Sequence, residues 1–142
     1  MDFTGEYRHS IDTKGRLIVP SAMREPLGET VYLSRWMENC IALWSEQGWA
    51  DITDRLRSLP PSQVQARRFL RLMSASAHRD TVDKQGRINV PQKLREIAGI
   101  TRDAVVIGVL DHAEIWDPDR YEQQEALEQS FGFEALAEDL QF

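Results

Sequence analysis

The sequence predicts an α+β fold of two β-β-α-β-β units around one shared core, and three observations carry that prediction. The stretch Asp12-Thr13-Lys14-Gly15-Arg16-Leu17-Ile18-Val19-Pro20 recurs as Asp83-Lys84-Gln85-Gly86-Arg87-Ile88-Asn89-Val90-Pro91, at a constant offset of 71 residues. The echo continues on both sides. Arg24-Glu25 and Gly28 return as Arg95-Glu96 and Gly99, Arg8, Ser10 and Ile11 face Arg79, Thr81 and Val82, and Leu43-Trp44 answers Ile115-Trp116 with one residue of slippage. The third observation is size. At 142 residues the chain has the length of one domain, and either half alone buries too little surface to stand by itself. A unit that cannot cover its own apolar face covers it against its twin.

Each element follows from local chemistry. Tyr7 to Ile11 alternates in polarity and predicts a strand, Leu17-Ile18-Val19 predicts its hairpin partner, and Asp12 to Gly15 supplies the bend. Asp bonds backbone two residues on and Gly tolerates positive φ, so Asp-x-x-Gly is turn chemistry. Pro20 and Pro91 end the second strand of each unit, because proline donates nothing to a ladder. Short helices over Ser21–Leu27 and Gln92–Ala98 follow, closed by Gly28 and Gly99. Val31-Tyr32-Leu33 with Ile41 to Trp44, and Ala104 to Gly108 with Ala113 to Trp116, complete the two units.

Between the units, Trp49, Ile52, Leu56 and Leu59 fall on one helical face. Pro60-Pro61 breaks that helix, Ser62 with Gln65 forms the capping box of a second, and Ala66, Phe69, Leu70 and Met73 make its apolar stripe. Asp117 as N-cap and Pro118 at the first position open a last helix to about Ser130. Beyond Gly132 the acidic end frays or docks as an amphipathic piece through Phe133, Leu136 and Leu140. The expected divisions are 3–47 (first unit), 48–75 (helical linker), 76–118 (second unit) and 119–142 (C-terminal helix and acidic tail).

Composition excludes several functions. No apolar run approaches the roughly 20 residues that span a bilayer. The opening Met1-Asp2-Phe3-Thr4-Gly5-Glu6 lacks the basic start and apolar stretch of an export signal, and Cys40 has no disulfide partner. Both point to a cytoplasmic protein. His9, His78 and His112 are isolated, so no metal site is expected, and no catalytic constellation or cofactor motif is visible. An enzyme is therefore not expected. The net charge of −6 is uneven: residues 117–142 hold eight acids and only Arg120, which leaves the rest of the chain near neutral with a slight basic excess. Local fields rather than the total decide partners.

The residues able to carry function sit where the copies agree most. An exposed tip bearing Lys14 and Arg16 on a two-stranded stem suits the DNA major groove, which admits a β-ribbon. Arginine grips guanine O6 and N7 in a bidentate way, and lysine neutralises phosphate. The competing reading is structural: Asp12 pairs with Arg16, and Asp83 with Arg87, across the mouth of each bend. Arg67, Arg68 and Arg71 offer a second phosphate stripe, but a solvated helix face paired with Glu46, Asp51 or Asp54 is favoured. Among the tryptophans, Trp44, Trp49 and Trp116 suit the core or helix packing, and Trp36 suits a subunit contact.

The tandem Asp-x-x-Gly-Arg units, Gly5-Glu6-Tyr7, Arg67-Arg68-Phe69-Leu70, and Val106-Ile107-Gly108 followed by Glu114-Ile115-Trp116 together resemble the MraZ family over residues 3 to about 130. The resemblance implies a bacterial transcriptional regulator made of two AbrB/MazE-like swapped-hairpin units, forming one small interlocked β-barrel with helices outside. It implies a closed ring of copies that binds G-rich direct repeats in double-stranded DNA upstream of the division and cell-wall gene cluster, in the cytoplasm on the nucleoid. Carried over, Lys14 and Arg16 contact DNA with Arg8 supporting, Arg24 adds a phosphate contact, and Lys84 and Arg87 contact either DNA or a neighbouring subunit. Asp12, Gly15, Asp83 and Gly86 build the turns. The alternative is an antitoxin-like interaction module whose acidic, apolar-studded end wraps a partner protein. Against it, chains of that kind carry one unit and dimerise, whereas this chain supplies both.

Overall fold

The computed structural model describes residues 2–142. The first unit comprises β1 (Glu6–Ser10), β2 (Arg16–Ile18), α1 (Ser21–Leu27), β3 (Thr30–Arg35) and β4 (Ile41–Ser45). Two helices, α2 (Glu46–Arg57) and α3 (Val64–Ser76), lead to the second unit: β5 (His78–Thr81), β6 (Arg87–Asn89), α4 (Gln92–Ala98), β7 (Asp103–Gly108) and β8 (Ala113–Trp116). Helices α5 (Pro118–Phe131) and α6 (Phe133–Asp139) close the chain. The β-β-α-β-β order expected of each unit is present.

The strand partners differ from the sequence expectation. Neither β1 with β2 nor β5 with β6 forms a hairpin ladder; between the first two, a single bridge joins Ile11 to Leu17. Instead β1 pairs with β7 of the other unit, β5 pairs with β3, and β2 pairs with β6. All pairs are antiparallel, giving one six-stranded sheet in the order β1-β7-β8-β4-β3-β5 and a separate ribbon β2-β6. The Asp-x-x-Gly bend dictates that the chain reverses, not which strand it then meets. Pairing with the twin sets Leu17 opposite Ile88, both 1% exposed. A local hairpin would leave that apolar surface uncovered. The sheet ends at β1 and β5, so its hydrogen bonding is open rather than that of a closed barrel.

The core joins both units: Leu17, Val19, Leu33 and Leu43 pack with Ile88, Val90, Val106 and Ile115. Helix ends follow their local signals. Gly99 takes a left-handed conformation after α4, its N–H bonding Glu96 O and that of Ile100 bonding Arg95 O, which satisfies the last carbonyls. Asp117 accepts the N–H of Arg120 and Pro118 opens α5, as the sequence predicts. The Ser62–Gln65 capping box is absent. Helix α3 starts at Val64 with Gln63 at its cap, and the Gln63 N–H is bonded instead to Pro60 O in the proline turn. Ala66 and Met73 are buried as the stripe predicts, with Phe69 and Leu70 half-buried. Past Gly132 the acidic end is helical, with its apolar residues outside.

Candidate nucleic-acid interface

Each of the two repeated bends is built by one aspartate. Asp12 Oδ1 accepts the N–H groups of Lys14 and Arg16 at 2.9 Å, and its Oδ2 accepts Arg16 Nε at 2.8 Å. Asp83 repeats the arrangement, accepting from Gln85 N–H, Arg87 N–H and Arg87 Nε at 2.8–2.9 Å. The N–H of Arg16, with its guanidinium and the Lys14 N–H, holds the Asp12 carboxyl below the usual carboxylate range; Arg87 does the same for Asp83. Gly15 and Gly86 sit at φ near +80°, where a Cβ would be strained. The ion pairs weighed in the sequence are therefore formed. They use only Nε of each arginine and leave the terminal nitrogens without an intramolecular partner among the described residues.

The two bends stand at opposite ends of the β2–β6 ribbon. Val19 N–H bonds Gly86 O and Val90 N–H bonds Gly15 O, both at 2.8 Å. Alternation about Leu17 and Ile88 turns Arg16, Ile18, Arg87 and Asn89 outward, with Arg16 opposite Asn89 and Ile18 opposite Arg87. Ile18 is 43% exposed although it belongs to an apolar run. Gly15 to Val19 spans four residue steps, roughly 13 Å at strand rise. Exposed Lys14 and Lys84 frame this face, one on each bend.

Helices of the two units brace the bends reciprocally. Arg24 of α1 donates Nε to Val19 O and lays its guanidinium on Gly86; Arg95 of α4 donates Nε to Val90 O and lies on Gly15. Arg24 is thus a structural brace with an exposed flank. Arg8 stands apart on β1, beside Glu6 at 3.8 Å and Glu122 at 3.9 Å, so acids surround it. The structure brings Lys14, Arg16, Lys84 and Arg87 onto one ribbon and leaves Arg8 outside it.

Sequence reading missed Ile18 and Asn89, which face outward two residues after Arg16 and Arg87 because Leu17 and Ile88 point inward. It also missed Arg102, which lines a cleft of about 750 Å³ with Ser10, Asp12, Thr13 and Arg95 beside the first bend. The Arg102 carbonyl accepts Ile11 N–H, and at the matching place by the second bend the Glu29 carbonyl accepts Val82 N–H. Arg102 thus stands by the first bend where Glu29 stands by the second, while the Asp80 carboxylate accepts the Asn89 N–H at 2.7 Å at the first bend's end of the ribbon.

The buried chemistry lies elsewhere. His112, 5% exposed, stacks on Trp44 at 4.7 Å and meets Trp36 edge-on, while Asp111 and Glu114 bond its two ring nitrogens at 2.6 and 3.3 Å. Burial opposes its charge, but these carboxylates outweigh burial and hold its pKa above the usual imidazole value. Burial, then Glu114, pushes the Cys40 thiol far up, so it stays protonated.

Against known proteins, the model described as "MraZ protein, putative antitoxin-like" matches residues 3–72 and again 73–141. The chain belongs to the MraZ family. It is similar to the MraZ of Acetivibrio thermocellus and to that of Moorella thermoacetica, at 43% identity over 136 residues in each case, covering 96% of this chain and 94% of the relative. It is also 40% identical to MraZ of Desulforamulus reducens over 138 residues, 97% of this chain and 96% of that one. All three MraZ relatives are named transcriptional regulators.

Proposed function

We propose that this chain is a regulator of transcription without a cofactor, binding double-stranded DNA sequence-specifically through the outer face of the β2–β6 ribbon. The observation that carries the reading is that ribbon: two strands with Arg16, Arg87 and Asn89 outward and a lysine-bearing bend at each end. The major groove, roughly 12 Å wide, admits such a ribbon. Arg16 and Arg87 contact guanine edges with their terminal nitrogens, Asn89 contacts a neighbouring base, and Lys14, Lys84 and Arg102 neutralise phosphates. The relatives' names support the role in transcription. The target is a set of G-rich direct repeats upstream of the division and cell-wall gene cluster, engaged on the nucleoid by a ring of copies. Tethering several weak ribbons raises their effective concentration on repeated sites.

Footprinting purified protein on DNA upstream of its own gene tests this. Evenly spaced protected elements, lost in the folded double variant Lys14→Ala/Arg16→Ala, are the expected result. Protection that survives the double variant removes the bends from recognition.

A further inference from the structure

Two exposed surfaces of this chain are complementary, yet neither fills the other within one copy. The first is an apolar groove of about 280 Å³ between α2 and α3, lined by Trp36, Met37, Leu56, Leu59 and Phe69 with Arg55 at its side. It continues past Leu72, which is 51% exposed. Its rim is basic. Helix α3 carries Arg67, Arg68 and Arg71 and no acid, and Arg68 stands one turn before Leu72. Among the described residues, neither Arg55 nor any α3 arginine has a carboxylate partner within 4.0 Å.

The second surface is the α5–α6 pair. Phe133 is 89% and Leu140 81% exposed, with Phe131 and Leu136 alongside, amid Glu128, Glu134, Glu138 and Asp139. None of those four acids has a cationic partner within 4.0 Å among the described residues. Exposed apolar patches of this kind, rimmed by charge, mark interaction surfaces. No α5 or α6 residue lines the groove.

We propose that the acidic α6 of one copy seats Phe133, Leu136 and Leu140 in the α2–α3 groove of a second copy, its carboxylates meeting Arg55 and Arg68. The occupant follows from charge: an acidic apolar helix and a basic apolar groove come in equal number on every chain. The two surfaces are different, so the contact is head-to-tail and propagates from copy to copy until it closes. It supplies a joint for the ring of the proposed function and rests on that reading only for closure, since DNA recognition uses other residues, those of the β2–β6 ribbon.

The experiment measures mass by light scattering in the absence of DNA for three full-length proteins: wild type, groove-reversed Arg55→Glu/Arg68→Glu, and tail-reversed Glu134→Lys/Glu138→Lys. Wild type is expected as a multi-copy assembly and each reversed protein as single copies with an unchanged thermal midpoint. An equal mixture of the two reversed proteins is expected to recover the wild-type mass, because a basic tail meets an acidic groove and the reverse. Reversed proteins that keep the wild-type mass, or a mixture that stays single, overturn the joint while leaving the ring and DNA binding standing. Wild type at single-copy mass at every concentration overturns joint and ring together and leaves the acidic helix to a protein of another sequence. Footprints lost from an intact assembly fault the ribbon alone.

Discussion

The guanidinium of Arg24 lies on the backbone of Gly86, in the space a Cβ would occupy. A helix of the first unit therefore clamps a bend of the second, and Arg95 does the same to Gly15. Gly86→Ala must bear a left-handed conformation, which costs about 1–2 kcal/mol, and must also displace Arg24. Removing Arg24 relieves the second part. Urea unfolding of Gly86→Ala, Arg24→Ala and the double variant is expected to show a double loss smaller than the sum.

Gly108 is required for another reason. Its backbone is extended, but a Cβ there would run into the backbone of Phe3 and Thr4, which cross it on the way to β1. Backbone cannot step aside as a guanidinium can, so Gly108→Ala is expected to cost at least the 1–3 kcal/mol of ordinary overpacking. Gly28→Ala is the control: it has open space around the Cβ and a strained φ of +76° only. Denaturation midpoints rank the two.

Leu17 and Ile88 face each other beneath the ribbon, each 1% exposed. Truncating either to alanine is expected to cost about 2–5 kcal/mol, with the loss read by calorimetry. The pair touches, so the double variant is expected to be non-additive.

Much of this architecture is legible in the sequence, and the boundary of legibility has a physical cause. The short helices, their glycine stops and the Asp117–Pro118 start depend on neighbours a few residues away, and they stand where the residues put them. The partners of β1, β2 and β5 do not. Asp12 specifies a reversal, whereas the choice of β7 or β6 is decided by burial of Leu17 and Ile88 from units 71 residues apart. The ribbon's outer face was half visible. Its arginines and lysines stood out by charge, but Asn89 and Ile18 become candidates only once Leu17 and Ile88 are known to point inward.

Lys14 gives the cleaner test of phosphate contact, because Arg16 also braces its bend through Asp12. Lys14→Gln is expected to lower the slope of log affinity against log salt by about 0.9 with base preference unchanged. Replacing Arg16 is expected to relax preference for guanine at one position, at about 1–3 kcal/mol of discrimination. Titrations at several salt concentrations separate the two.

His112 makes stability depend on pH. Despite burial, its folded pKa is raised above the ordinary imidazole value of 6.5 by the Glu114 and Asp111 carboxylates. The contribution of the charged ring is thus fully present below about pH 6.5 and lost as pH rises through the higher folded value. Melting temperature is expected to fall over that interval in the wild type and to stay flatter in His112→Gln; the imidazole proton shift followed by NMR gives the midpoint directly.

Because β1 completes its ladder on β7 and β2 on β6, a ribosome that has delivered only the first 75 residues has released no strand able to receive either one. Strands β3 and β4 can join as soon as they emerge, but β1 and β2 must wait until the carboxy-terminal half leaves the exit tunnel. Such long-range closure makes for slow folding. Synthesis speed and chaperone access during that interval thus bear on the yield of this protein more heavily than on one whose hairpins close as they are made.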